Sequence, residues 1–383
     1  MLGLVADDLT GAGDSAVGFA AAGWTAVLAL RASRLRLPTT GGPTVLAVST
    51  GTRAAPDDEA AVRTAQAVDA LVAAGAERLY LKIDSTVRGS VAGQVDGALA
   101  AWSRHRPGAR AVVCPSFPAQ RRSVVDGEVL VAGEPLARSA AALDPVTPRV
   151  DGDLTRVVPG AVRHRGDDLV GAPGSRLVLD ARDESDLDRL AHRIDAAGPE
   201  LVVVGSGGLA AALGRAWSCP VVRPPVRPVR GRLLVAVSSL HPAALDQVGW
   251  LRARAAAGVD VLTTAPELGH PVTAARDLAD RVAEALAGQP YDALVVVGGD
   301  GAAAVLARLD ADGVEVDGAV VPGCPSGTVA GGAADGLRVV TKSGGFGRTS
   351  ALDEIVRALR HPPAPTGPDH PDAGSRPTPK EAR

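Results

Sequence analysis

Leu2-Gly-Leu-Val-Ala6, followed at once by Asp7-Asp-Leu-Thr-Gly-Ala-Gly-Asp-Ser15, is the stretch that decides the fold. The apolar run is long enough for one buried strand, and Thr10, Gly11 and Gly13 lead into an alanine-rich helical segment. Asp7, Asp8 and Asp14 therefore crowd a single strand-to-helix turn, the place where open α/β sheets keep their chemistry. A helix N-terminus ordinarily welcomes phosphate. Three neighbouring carboxylates repel a polyphosphate, so this turn is expected to meet substrate hydroxyls or a metal ion.

The pattern repeats outward from this unit. Apolar runs at Thr25–Leu30, Val45–Val48, Leu79–Lys82, Ala111–Cys114, Leu177–Leu179 and Leu201–Val204 read as strands, with helical patterns at Asp57–Ala74, Gly93–Trp102 and Glu184–Ala196. Such alternation predicts a mostly parallel sheet covered by helices. The proline- and arginine-rich stretch Arg223–Arg230 interrupts it and reads as a linker. Strand and helix patterns then resume from Leu233 to about Leu359. Beyond His361 the chain is rich in proline, glycine and charge, with no apolar periodicity, and is expected to be disordered. The expected class is α/β, as two α/β domains with mostly parallel sheets and the active site in the crevice between them.

Composition narrows the function. The 383 residues are 46% hydrophobic, enough for two cores, and the formal net charge of −3 is spread along the chain. No basic footprint for nucleic acid is present. Acidic residues near the start stand where a secretory signal would carry positive charge, and Ala16–Leu30 is interrupted and too short to span a bilayer, so a cytoplasmic location is expected, without a membrane partner. Cys114, Cys219 and Cys324 are scattered and odd in number, and the seven histidines form no ligand cluster, so neither disulfide nor zinc is expected. Of the 40 basic residues only Lys82, Lys342 and Lys380 are lysine, and the first two sit in motifs, as where a compact ammonium is needed.

Lys82-Ile-Asp-Ser-Thr-Val-Arg-Gly89 follows a strand and precedes a helix, offering cations, an acid and hydroxyls together. Lys82 and Arg88 can hold a carboxylate while Asp84 and Ser85 address hydroxyls, a mix suited to a small polyhydroxylated anion. Arg53 ends another strand and can reach the same crevice. In Cys114–Gly127, Phe117 and Arg121 are placed to close over it, ahead of a hairpin-like stretch at Glu128–Pro135. The second half supplies glycines with few charges: Val297-Gly-Gly-Asp-Gly301 and Lys342-Ser-Gly-Gly-Phe-Gly347 can both bring backbone amides to phosphate oxygens. Neither is a Walker A loop or a dinucleotide fingerprint.

In this order, Ala6–Ala12 (ADDLTGA), Arg53, Lys82–Gly89 (KIDSTVRG), Cys114–Gly127 (CPSFPAQRRSVVDG), Gly205–Ala210 (GSGGLA), Gly298–Gly301 (GGDG) and Lys342–Gly347 (KSGGFG) resemble the four-carbon acid sugar kinase family, over about residues 1–357. The resemblance implies a sugar-acid-binding domain over 1–222, a linker over 223–232, a nucleotide-binding domain over 233–360 and a tail over 361–383. It implies in-line phosphoryl transfer from Mg-ATP to the terminal hydroxyl of threonate, erythronate or an oxo-tetronate. Substrate contacts implied are Asp7, Asp8, Arg53, Lys82, Asp84, Ser85 and Arg88, with Asp8 the carboxylate that orients or deprotonates the acceptor hydroxyl. Nucleotide contacts implied are Ser239, Gly298, Gly299, Asp300, Gly301 and Gly344. The metal ligands are left unassigned, and a homodimer is expected on general prevalence.

The chain departs from the family pattern at Gly51, where an acidic residue is common, at Gly301, where GGDT is common, and at Ser238-Ser-Leu-His241, where many relatives write Gly-Ser-x-Ser. Two rival readings are a non-catalytic sugar-acid sensor and a ribokinase-like enzyme using Gly11-Ala-Gly-Asp14 as its anion hole, with Asp14 as the base. In ribokinase-like enzymes that turn lies late in the chain. Here it follows the first strand.

Overall fold

A computed structural model describes residues 1–35, 42–144, 147–219, 228–254, 257–264 and 271–362. Half of the expected linker, at 223–227, and the expected tail from 363 onward lie outside the described residues.

The first half runs β1 (Leu2–Ala6), α1 (Leu9–Ala21), β2 (Thr25–Ala29), β3 (Thr44–Ser49), α2 (Asp57–Ala73), β4 (Arg78–Lys82), α3 (Val91–His105) and β5 (Arg110–Cys114). A three-stranded antiparallel sheet follows, β6 (Arg122–Val125), β7 (Glu128–Val131) and β8 (Glu134–Pro135). Then come α4 (Leu154–Val157), β9 (Val162–Arg163), β10 (Arg176–Val178), α5 (Glu184–Ala197), β11 (Leu201–Gly205) and α6 (Gly207–Ala216). The second half contains β12 (Leu233–Val237), α7 (Pro242–Ala253), β13 (Val259–Thr263), α8 (Pro271–Gly288), β14 (Ala293–Val297), α9 (Gly299–Arg308), β15 (Gly313–Val321), β16 (Cys324–Ala330), β17 (Arg338–Lys342) and α10 (Ala351–Arg360).

The large sheet has fourteen strands in the order β13-β12-β14-β17-β16-β15-β2-β3-β1-β4-β11-β5-β10-β9. Every pairing from β2 to β9 is parallel, as are those joining β13, β12, β14 and β17. The mostly parallel α/β class read from the sequence is the class observed. What the sequence did not disclose is that the two halves share one sheet, through antiparallel pairing of β15 with β2 from Gly313↔Ala29 to Val316↔Ala26. Only the last three residues of β15 are a contiguous apolar run. Its first part, Gly-Val-Glu-Val-Asp-Gly, alternates and sits behind Asp310-Ala-Asp312, which reads as a turn.

Alternation within the strands of the second half divides its core. Leu234, Ala236, Leu294, Val296 and Val339 join the main hydrophobic core with residues of the first half. Leu233, Val235, Val237, Val295 and Val297 face the other way and pack with Val248, Leu251, Ile355 and Leu359 of α7 and α10. Both faces of β12 and β14 are thereby buried, which is why they read as unbroken apolar runs.

Candidate functional site

The carboxyl end of β1 delivers Asp7 and Asp8 in succession. Period-two alternation sends Asp7 into the protein, 1% exposed, while Asp8 caps α1 and its Oδ1 accepts from Gly11 N at 3.0 Å. Arg53, just beyond β3, binds both. Its Nε and Nη2 donate to Asp7 at 2.8 and 2.8 Å, and Nη1 and Nη2 donate to Asp8 at 3.1 and 2.9 Å. Thr10 Oγ1 adds a donation to Asp8 Oδ2 at 2.6 Å.

The two carboxyls titrate in opposite directions. Burial is the largest influence on Asp7 and lifts it above its ordinary value against Arg53. Burial also acts on Asp8, but Arg53, Lys82 and the Thr10 hydroxyl together outweigh it and hold Asp8 below the usual range. Asp8 is thus a carboxylate at neutral pH with all its lone pairs engaged.

From the end of β4 comes a second ion-pair knot. Arg88 donates through Nε and Nη2 to Asp84 at 3.1 and 2.8 Å and through Nη1 to Asp144 at 2.7 Å. The Thr86 amide donates to Asp84 at 3.0 Å, and the Thr86 hydroxyl makes a short contact to the same oxygen. Although burial opposes it, Arg53 and Arg88 hold Asp84 far below the ordinary carboxylate range. Lys82, buried at the mouth of β4, donates to the Ile83 carbonyl at 2.9 Å and to no other group among the described residues.

Asp8, Thr10, Asp14, Arg53, Lys82, Asp84, Ser85 and Arg88 line one cavity of about 890 Å³. Phe117 lines it as well, but Arg121 does not. Arg121 is exposed in a left-handed conformation, φ 60°, after a 3₁₀ turn, and that reversal turns Arg122 toward the cavity instead. Asp14, on α1, is the third carboxylate of the acidic turn. It accepts no hydrogen bond among the described residues, and its pKa is raised, chiefly by burial and further by Asp8, against Lys82.

The opposite wall belongs to the second half: Leu240, His241, Pro242, Gly323, Pro325, Thr341, Ser343, Gly345 and Phe346. The turns after β12 and β17 supply that wall, and the turn after β14 packs against the turn after β12 without lining the cavity. A Cβ on Gly298, which has φ +108°, or on Gly301 would collide with Ser238 Oγ, and one on Gly344 would collide with Ser239 Oγ. Ser238 donates to the Val297 carbonyl at 3.0 Å, and Ser239 Oγ accepts from His241 N at 3.2 Å. A Cβ at Gly299, the first residue of α9, would lie 3.4 Å from Thr10 Oγ1 and 3.7 Å from Asp8 Oδ2. The acidic turn of the first half therefore abuts the helix N-terminus of the second. Asp300 is exposed in the first turn of α9 and outside the cavity lining.

Lys342 is fully buried and donates to the Ser343 carbonyl at 2.9 Å. Burial lowers its pKa from 10.5 to about 8, with Cys324 opposing only in part. A folded pKa below the unfolded one means that the unfolded chain binds more protons between these two values, so stability rises with pH across that window. Below pH 8 the buried ammonium carries its full cost, on the order of 3 kcal/mol for a shift of this size. Lys342→Met is accordingly expected to stabilise the protein at pH 7, and its advantage over the parent is expected to shrink as pH rises from 8 to 10.5. Urea melts of both proteins at pH 7 and pH 10 measure this, and equal advantage at the two pH values would contradict it.

Comparison with known proteins bears on both halves. Residues 2–213 match the model of a sugar-binding N-terminal domain, and residues 267–352 that of a nucleotide-binding C-terminal domain. A D-threonate kinase of Bordetella bronchiseptica is 36% identical across 94% of this chain and 97% of its own length. A D-erythronate kinase of Heliobacterium modesticaldum is 28% identical across 93% and 96%. A solved structure from Bordetella bronchiseptica, described as a domain of unknown function with bound citrate in a domain-swapped dimer, is 36% identical, covers 94% of this chain and 98% of its own, and superposes with a TM-score of 0.52.

Proposed function

Since this chain belongs to the four-carbon acid sugar kinase family and is a phosphotransferase, we propose that it moves the γ-phosphoryl group of ATP to the terminal hydroxyl of a four-carbon sugar acid, with D-threonate the leading substrate. One observation carries the reading. A single cavity joins the carboxylates and cations after β1, β3 and β4 to the turns after β12 and β17, and Asp8 stands against Gly299, the first residue of α9, although Ser239, Gly298–Gly301 and Gly344 do not themselves line it. The domain-swapped relative supports a homodimer, which size-exclusion chromatography with light scattering would test. Among the described residues no helix is long and apolar enough to cross a membrane, and a cytoplasmic enzyme fits the proposal.

In this proposal the amide-rich turns Gly298–Gly301 and Gly344, with Ser239, take the nucleotide phosphates, which a helix N-terminus favours. Asp300 serves through its place in the α9 turn rather than through its exposed carboxylate. An incoming hydroxyl replaces the Thr10 hydroxyl as donor to Asp8 Oδ2 and is thereby held toward α9. Asp7 fixes Arg53, and Arg53 fixes Asp8. Lys82 supplies positive charge where carboxylates would otherwise repel an anion, while Asp84 and Ser85 meet the substrate hydroxyls. Arg88, divided between Asp84 and Asp144, shapes that loop. A low Asp8 pKa is compatible with the role, because proton transfer can lag bond formation in a loose phosphoryl-transfer transition state.

Among the described residues no group of three or more His, Cys, Asp or Glu side chains is placed to hold a metal ion. Mg²⁺ needs no such group, because it keeps waters and phosphate oxygens and takes only one or two carboxylates. Asp14 lines the cavity and accepts no hydrogen bond among the described residues, and would supply one such carboxylate. When bound, the ion would neutralise phosphate charge.

The test is ATP consumption with Mg²⁺ across D- and L-threonate, D- and L-erythronate, their oxo forms, glycerate and ribose. Turnover confined to four-carbon acids is expected, with D-threonate fastest. Turnover of ribose alone would overturn the reading in favour of a ribokinase-like enzyme. Acid binding without any turnover would favour a sensor.

A further inference from the structure

We propose that Arg122 is the residue that receives the carboxylate end of the substrate and so makes this a kinase for acids rather than for neutral polyols. The inference rests on the sugar-acid reading above and assigns its specificity to one side chain.

Three guanidinium groups line the cavity, and the structure sorts them by what already neutralises them. Arg53 is divided between Asp7 and Asp8, and Arg88 between Asp84 and Asp144. Arg122 makes no ion pair among the described residues. Its Nη1 donates to two neutral acceptors of one neighbour, Gln120 O at 2.5 Å and Gln120 Oε1 at 3.3 Å. Its Nε is buried without a hydrogen-bond partner among the described residues. An N–H buried without an acceptor is expensive, and a guanidinium without a contacting anion more so. Burial, with Arg88 adding repulsion and Asp84 opposing, lowers the pKa of Arg122, as expected for a cation short of counter-charge.

The backbone around it is fixed. Arg122 N donates to Phe117 O at 3.1 Å, and Arg122 O accepts from Phe117 N at 2.9 Å and from Ser116 Oγ at 3.2 Å. Gln120, also in the cavity lining, occupies Nη1, so the donors left unpaired among the described residues are those of the Nε and Nη2 edge. A carboxylate matches that edge with two parallel acceptors. Phosphate is the other anion with this geometry, but Arg122 opens β6, beyond the turn that follows β5, whereas the turns proposed for phosphate follow β12, β14 and β17. A substrate spanning from Arg122 to Asp8 would then carry its carboxylate at one end and the accepting hydroxyl at the other.

The test uses the full chain with ATP, Mg²⁺ and two forms of the best substrate of the panel: the free acid and its carboxamide. Arg122→Gln is expected to raise KM for the acid about 100-fold, to leave KM for ATP within about threefold, and to abolish the parent enzyme's preference for acid over carboxamide. Arg122→Lys keeps charge without the fork and is expected to fall between the two. An unchanged acid-to-carboxamide ratio in a folded Arg122→Gln protein overturns the assignment, as does a rise confined to KM for ATP. If the parent enzyme phosphorylates no acid at all, the functional proposal fails instead, and the two failures are told apart by that control.

Discussion

Asp8→Asn is expected to lower kcat about 1,000-fold while nucleotide affinity stays within about threefold. The substitution keeps the shape of the side chain but exchanges an acceptor-only carboxylate for an amide, which has one accepting oxygen and one donating nitrogen. Arg53 Nη1 and Nη2 donate to opposite oxygens of Asp8, at 3.1 and 2.9 Å, so whichever way the amide points, one Arg53 donor faces another donor. The hydroxyl that should be held against α9 loses its anchor as well. Asp7 keeps its own two bonds to Arg53, so the fold is expected to survive, and a melting temperature within a few degrees of the parent's is the control. Asp14→Asn gives the contrast: a higher Mg²⁺ requirement, with turnover at saturating Mg²⁺ within about tenfold of the parent. Steady-state kinetics with a Mg²⁺ titration decide between them. An active Asp8→Asn beside a dead Asp14→Asn would transfer the proton-accepting role to Asp14.

Gly301→Ala is expected to weaken nucleotide binding about 100-fold, against the ordinary propensity rule. Alanine in place of glycine inside a helix normally gains roughly 1 kcal/mol. At this position the added Cβ would strike both Oγ and Cβ of Ser238, and overpacking of that kind costs about 1–3 kcal/mol while displacing the turn. The Ser238 hydroxyl can rotate away, but its Cβ cannot. Ser238→Ala/Gly301→Ala is therefore expected to remain defective, whereas Ser238→Gly/Gly301→Ala recovers most of the affinity, since the nearest remaining Ser238 atom, Cα, lies at an ordinary 3.7 Å. Isothermal titration with ATP across the three variants measures the order. Recovery in the Ser238→Ala pair would show that hydroxyl crowding alone is responsible.

This pair also accounts for two of the departures noted in the sequence. A side chain at 238 fills the space beside residue 301, so a serine there and a glycine at 301 go together. Much else was legible directly. The parallel strands, buried on both faces, announce themselves as apolar runs, and Asp7, Asp8, Lys82 and Asp84 fall at strand ends that the runs define. The allocation of charges was not legible. Arg53 and Arg88 look like free cations in one dimension and become committed ones only when β1 and β3 come into register and Asp144 folds back over Arg88. Arg121 and Arg122 are adjacent, and a single left-handed residue decides which of them enters the cavity. The seam at β15 was hidden because an edge-joining strand with alternating polarity behind Asp310-Ala-Asp312 is locally indistinguishable from a loop.

That seam bears on how the protein can come apart. Were the chain cut after α6, β2 would become a bare sheet margin presenting Thr25–Ala29, four of those five residues buried in the intact protein. The severed remainder would present β15 in the same condition, and unpaired margins of this kind recruit other chains. Neither fragment is therefore expected to stay monodisperse by itself, and proteolytic nicking between the halves would promote aggregation rather than release two working modules.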